Sequence, residues 1–136
     1  METYEVRGIG RVRSSLRDLA QAPMQGDEGA PEAELVFDED VAVALQGIEA
    51  GAVIELLTWL HLARRDTLLT RPRDDANRPL TGVFATRSSE RPNPIGLHTV
   101  TVLEVGHGTL RVAPLEAIDG TPVIDVKIAL GVPDVR

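Results

Sequence analysis

The stretch "TGVFATRSSERPNPIGLHTVTVLEV", Thr81 to Val105, decides the reading of this chain. Two apolar, strand-like ends enclose a polar middle that is cationic and conformationally stiff. Pro92 and Pro94 each fix a φ angle and push the preceding residue toward extended geometry. Such a segment has little entropy left to lose when it binds something. Arg87 and Arg91 each offer a planar five-donor fork to a carboxylate, a phosphate or a base edge. Asn93, held between the prolines, presents one acceptor and two donors at a fixed orientation. The competing reading is a stiff turn whose arginines pair with Glu90, Asp74 or Asp75.

Working outward, the C-terminal end of this stretch runs into "GHG" and then "TLRVAPL", a strong hairpin signal. "DGTPVIDVKI" is a turn followed by another strand. "AELVF" is a short strand, and Thr3–Ser14 alternates well enough for a first one, with Gly8 and Gly10 marking a bend. "AVIELLTWLHLA", Ala52–Ala63, is nearly continuously apolar and predicts a central strand buried on both faces, with a helix as the competing reading. "DEDVAVALQGI" repeats Val41, Ala44, Leu45 and Ile48 at helical spacing and predicts a short helix with Asp38 as its N-cap. Ser15 to Pro31 is a long loop of the kind that is often functional. The fold class is mostly β: a single small β-barrel spanning 1–136, with one short helix and long functional loops.

Composition narrows the function. The 136 residues suit one domain with one core. The aromatics are Tyr4, Phe37, Trp59 and Phe84, so the core must be aliphatic. With no cysteine, a disulfide framework and thiolate-ligated metals are excluded. No basic-plus-apolar leader opens the sequence, and the apolar run Gly51–Leu62 is too short to span a bilayer. The expected location is the cytoplasm, with no membrane partner. The net charge of −7 argues against a nucleic-acid coat protein. Yet seven arginines face four acids between residues 64 and 91, leaving +3 there and −10 elsewhere. A local cationic patch on an acidic body suits a confined anionic ligand or a short stretch of nucleic acid; it equally suits a solvated loop that pairs internally.

His61, His98 and His107 lack metal-ligand spacing, so no metal site is expected; His98 and His107 are read as strand-face and turn residues. "EAIDGTP", Glu116–Pro122, reads as a turn; Glu116, Asp119 and the following Asp125 also have the chemistry to bind a hydroxyl or amine, or to take a proton. "GIGRV", Gly8–Val12, lacks the third glycine and the following helix of a dinucleotide fingerprint.

"GVFATRS..RPNPIG", together with "DGTPVIDVK", "IGRVRSS", "WLH" at 59–61 and the Pro-Met-Gln-Gly of 23–26, closely resembles the TsaA-like family, also called the YaeB or TrmO family. The resemblance covers about Val6 to Leu130. It implies a small β-barrel that binds S-adenosyl-L-methionine and a homodimer with the cofactor near the subunit interface. It also implies an activity: N6-methylation of threonylcarbamoyl-adenosine beside the anticodon of a tRNA. Carried over by position, the cofactor contacts are Gln25, Gly26 and Asp27 in the early loop, His61 and Leu62 after the central strand, Arg87, and Leu97. The run Glu116, Ala117, Ile118 and Asp119 completes them. Arg91 and Asn93 match further fixed polar positions and, with Asp119 as candidate base, form the expected catalytic set. The tRNA would dock on the 64–91 arginines. The sequence departs from the family at Ser14-Ser15, at 50–52 and at Lys127-Ile128-Ala129, and longer members continue into a C-terminal domain that this chain is expected to lack. Those departures leave open a small or peptidic acceptor, or a cofactor-binding module without catalysis.

Overall fold

A computed structural model describes residues 1–18, 22–23 and 29–131. Among the described residues eight strands form: β1 (Gly10–Arg13), β2 (Ala33–Phe37), β3 (Val53–Trp59), β4 (Leu69–Thr70), β5 (Thr81–Gly82), β6 (Ile95–Gly106), β7 (Thr109–Ala113) and β8 (Pro122–Ile128). Six of them close into a barrel in the order β1-β2-β7-β6-β3-β8, with β8 returning to β1; every described pairing is antiparallel. β4 and β5 form a separate two-stranded ribbon in the 60–94 connection.

Alternation builds the barrel. Along β6, Gly96, His98, Val100 and Val102 are buried while Ile95, Leu97 and Thr99 are exposed. Inward residues from every barrel strand make one core, aliphatic apart from Phe37 and including Val12, Leu35, Ile54, Leu56, Val102, Leu110, Val112 and Val123. A closed barrel leaves no strand edge to protect. Gly10 is required by close approach: a Cβ there would sit 2.5 Å from the carbonyl oxygen of Val36 on the paired strand. That packing role is what the glycine of "GIGRV" serves.

Several expectations need correction. The first strand is only Gly10–Arg13, not Thr3–Ser14. β3 is central, paired to β6 and β8, but it is not fully buried on both faces: Ile54, Leu56 and Thr58 are buried, while Val53, Glu55, Leu57 and Trp59 are half-buried. It also stops at Trp59, where the chain turns. The expected helix at 38–48 is a 3-10 helix, Glu39–Leu45, and the Asp38 side chain makes no capping bond. Its Leu45 and Ile48 pack on the core and close one end of the barrel. The hairpin at 106–109 forms as expected, with Gly108 at φ 70°. The N-terminal end of the opening stretch is not a barrel strand: Thr81–Gly82 belongs to the small ribbon, and Val83–Ala85 is a 3-10 turn.

The antiparallel order fixes which loops meet. The connections 38–52 and 107–108 lie at the closed end. The connections 60–94 and 114–121 emerge at the other end, where the chain also leaves β1 and enters β2, so three of the barrel's connections meet at one mouth.

Candidate functional site

That mouth holds almost every residue singled out from sequence. His61 and Leu62 follow β3, Arg87, Arg91 and Asn93 precede β6, and Glu116 to Asp119 join β7 to β8. Leu97 lies near the start of β6. Gln25, Gly26 and Asp27 belong to the same early loop but lie outside the described residues.

The stiff loop is held by its own arginines and threonines. The Arg91 guanidinium donates to the carbonyls of Thr86 and Ser88 at 3.2 and 3.0 Å, and its backbone N–H donates to Arg64. Thr86 Oγ1 donates to Val83 O and accepts from Ser88 N. Arg65 crosses from the preceding connection, donating to Pro92 O at 2.8 Å and to Asn93 Oδ1 at 3.0 Å, with its guanidinium 5.1 Å from the Trp59 ring centre. Asn93 thus keeps its amide N–H groups at the surface. Arg64 is forked onto Asp66, and that hydrogen bond holds the Asp66 carboxyl below the usual carboxylate range and raises Arg64. Arg71 donates to Arg78 O, and Arg78 approaches Asp75 at 3.8 Å. Neither loop arginine meets the acids offered for it: Arg91 is on carbonyls, Asp75 meets Arg78 and Glu90 accepts from Thr67. Exposed Arg87 has no hydrogen bond or ion pair with a described residue, so its fork is open to a ligand.

On the other side of the mouth, Asp119 is an anchor. Its Oδ1 accepts from Ser14 N at 3.0 Å, its Oδ2 from Arg17 at 3.3 Å, and its own N–H donates to Leu16 O. Ala117 and Ile118 are buried. Glu116 turns back to the barrel interior. Its Oε1 lies 2.5 Å from His98 Nδ1, and His98 Nε2 lies 2.7 Å from Thr58 Oγ1. A carboxylate only accepts, so Nδ1–H donates to Glu116, and in the neutral ring Nε2 accepts the Thr58 hydroxyl. Thr58 is fully buried and His98 is 6% exposed. A Cβ on Gly96 would come within 2.5 Å of Thr58 Oγ1 and 2.7 Å of His98 Nε2, so the glycine makes room for this relay.

Thr58 and His98 were not in the expected site. The signal was present: His98 shares its strand face with Val100 and Val102, and a polar ring on an apolar inward face needs a partner. Leu97 points to the opposite, outer face of β6, opposite Leu57 on β3, with Trp59 opposite Ile95 beside it. An open groove of about 370 Å³ lies between β1 and β2, across the barrel from β6; its Arg13 and Arg111 are paired with Glu34 and Glu32. Among the described residues no group of His, Cys, Asp and Glu is placed to hold a metal ion, and no helix is long and apolar enough to cross a membrane.

The family model for the tRNA-methyltransferase O N-terminal domain matches residues 11–134. This chain belongs to that family. A protein of Archaeoglobus fulgidus named as an S-adenosyl-L-methionine-binding protein is 40% identical over 122 residues, which cover 90% of this chain and 86% of its own. A Pseudomonas aeruginosa protein, RcsF, whose name describes an S-adenosylmethionine-dependent methyltransferase, is 34% identical over 92% of this chain and 54% of its own. The crystal structure of TrmO from Pseudomonas aeruginosa superposes with a TM-score of 0.75 at 31% identity, covering 100% of this chain and 61% of that one. The chain thus spans about three fifths of the solved TrmO chain, and what they share is the barrel with its mouth.

Proposed function

We propose that this tRNA-methyltransferase O N-terminal domain binds S-adenosyl-L-methionine at the open mouth and transfers its methyl group to N6 of threonylcarbamoyl-adenosine next to a tRNA anticodon. The observation that carries the reading is the convergence of the family's contact positions at one end of the barrel, with Arg87 left unpaired there. The cofactor is a sulfonium with a carboxylate, a ribose and an adenine. Arg87 suits the carboxylate; the 116–119 turn suits the nucleoside. Methyl transfer is an in-line displacement at carbon. The sulfur–methyl bond breaks as the nitrogen–methyl bond forms, the nitrogen loses its proton, and S-adenosylhomocysteine leaves. The domain has to align acceptor, methyl and sulfur at ~3–3.5 Å and exclude water. Arg91, by holding the loop carbonyls, keeps Asn93 and Arg87 in place, and Asn93 offers its amide to the acceptor.

An amide-like N6 is a weak nucleophile, and a base is worth about 10²–10⁴ in rate. Asp119 is the acid the sequence offers, although both its oxygens are engaged. Asp119→Asn keeps an acceptor for Ser14 N and removes the basic carboxylate. A base role predicts a fall of about 10²-fold or more in kcat; a change within about threefold would leave Asp119 as an anchor only. The homodimer belongs to the same proposal. The outer pairs Leu57–Leu97 and Trp59–Ile95 form an apolar strip on β3 and β6 that a second copy would cover.

A second reading, a small or peptidic acceptor, is favoured by a specific observation: Arg64, Arg65, Arg71 and Arg91, though exposed or half-buried, each turn donors to partners within the chain. The deciding experiment is incubation with methyl-labelled cofactor and cell extract, with and without nuclease. Label lost on RNA digestion supports tRNA; nuclease-resistant label in protein or small molecules supports the second reading. No S-adenosylhomocysteine with any fraction removes catalysis.

A further inference from the structure

The geometry points to His98 as a positioning residue. With Thr58, it holds the Glu116 carboxyl at the mouth so that its second oxygen accepts from the ribose hydroxyls of the bound cofactor. This rests on the cofactor reading above and names the group that reads the nucleoside.

Three observations carry it. First, Glu116 Oε1 is taken by His98, while Oε2 accepts nothing from a described residue. No fully buried side-chain oxygen or nitrogen among the described residues lacks a partner, so this unpaired oxygen reaches solvent at the mouth. Second, the relay spans three separate elements: Thr58 on β3, His98 on β6 and Glu116 in the β7–β8 connection. It therefore locks the turn 116–119 to the barrel wall. Third, a largely buried carboxylate tied to a buried imidazole and hydroxyl is a poor way to gain stability, since apolar residues of similar volume do as well or better. The inward positions deeper in the barrel are aliphatic; only this end layer is polar. An acceptor-only oxygen with a free lone pair suits a hydroxyl donor, as acidic residues do for ribose in dinucleotide sites.

The test separates the two ring nitrogens. An asparagine amide nitrogen stands near the place of Nδ1, and a glutamine amide nitrogen near that of Nε2. His98→Asn keeps the donor to Glu116 and loses Thr58; His98→Gln does the reverse. Binding is measured by calorimetry with S-adenosyl-L-methionine and with 5′-methylthioadenosine, which has the ribose and adenine but no amino-acid carboxylate. Expected is a loss of roughly tenfold or more for His98→Gln and Glu116→Gln with both probes, and less than about threefold for His98→Asn. Equal affinities for the two His98 variants would make the ring merely structural and overturn the inference. A Glu116→Gln loss confined to S-adenosyl-L-methionine would overturn the ribose assignment. If a His98 variant does not fold, Glu116→Gln with the two probes decides alone. A wild-type protein that binds neither probe brings down the cofactor reading, and the ribose assignment with it. Amide exchange at Asp119 and Gly120 then decides the positioning half, which stands if exchange is faster in His98→Gln than in His98→Asn and falls if it is not.

Discussion

Gly96→Ala tests the mouth of the barrel without replacing a polar side chain. In a strand, alanine for glycine should stabilise by about 0.5–1 kcal/mol, because the unfolded chain loses freedom. Here the new Cβ meets Thr58 Oγ1 at 2.5 Å, His98 Nε2 at 2.7 Å and Leu60 Cδ2 at 3.1 Å. The first two are the ends of one buried hydrogen bond, so relief requires parting them. Overpacking costs about 1–3 kcal/mol, and an unsatisfied buried polar group about 1–3 kcal/mol. The net expectation is a loss of about 2 kcal/mol, or roughly 6–10 °C in Tm for a domain of this size. Gly106→Ala is the control. Its Cβ would press on Thr109 Oγ1 alone, with no buried hydrogen bond to part, so the loss should be smaller than at Gly96. Denaturant unfolding gives both values. Repeating Gly96→Ala in a Thr58→Ala background should recover at least about 0.5 kcal/mol, the coupling expected of touching groups. A Gly96→Ala protein as stable as wild type, or an equal loss in both backgrounds, would refute the reasoning.

Other outcomes follow from the same geometry. Wild type should bind S-adenosyl-L-methionine in the micromolar range, and Arg87→Ala should weaken it by about 1.5–3 kcal/mol if the fork makes a charge-assisted bond; an unchanged calorimetric affinity removes Arg87 from the site. Replacing Arg71, Arg73 and Arg78 with alanine should lower tRNA affinity and flatten its salt dependence by about one unit of log–log slope per lost phosphate contact, with cofactor affinity nearly untouched; retained affinity and slope would mean the patch only braces its own loop. Light scattering should report a mass twice the 14.7 kDa of one chain; a monomer at working concentration contradicts the dimer.

The barrel was legible because its strands alternate. Val12, Leu35, Ile54, Val100 and Leu110 fall on one face of their strands, and "GHG" announces the hairpin. The failures have local causes. "GVFATR" reads as a strand from its β-branched and aromatic residues, but Thr86 and Ser88 bond to nearby backbone and to each other, and such local bonds compete with ladders. The 38–48 segment has helical spacing, but Gly47, at φ 97°, ends it before an α-helix can grow. The relay was legible only as a polar ring on an apolar face; its partners were not. His98 lies 40 residues from Thr58 and 18 from Glu116, so only the register of β3 and β6 and the path of the β7–β8 connection bring them together.

Those same distances explain why a conspicuous motif is a poor guide to which of its atoms meet a ligand. Long loops at a barrel mouth carry backbone groups that no strand partner satisfies, and nearly all such groups must be paired. Arg91 satisfies Thr86 and Ser88, Arg65 satisfies Pro92, and Asp119 satisfies Ser14. Residues that look catalytic in a string of letters are consumed in holding the string's shape. What remains for a ligand is what the scaffold leaves over: the Arg87 fork, the Asn93 amide and the second oxygen of Glu116. On the proposed reading, an arginine and a carboxylate at the same mouth complement a molecule with an acid at one end and hydroxyls at the other. The stiffness supplied by the spent residues is what lets so few free atoms choose it.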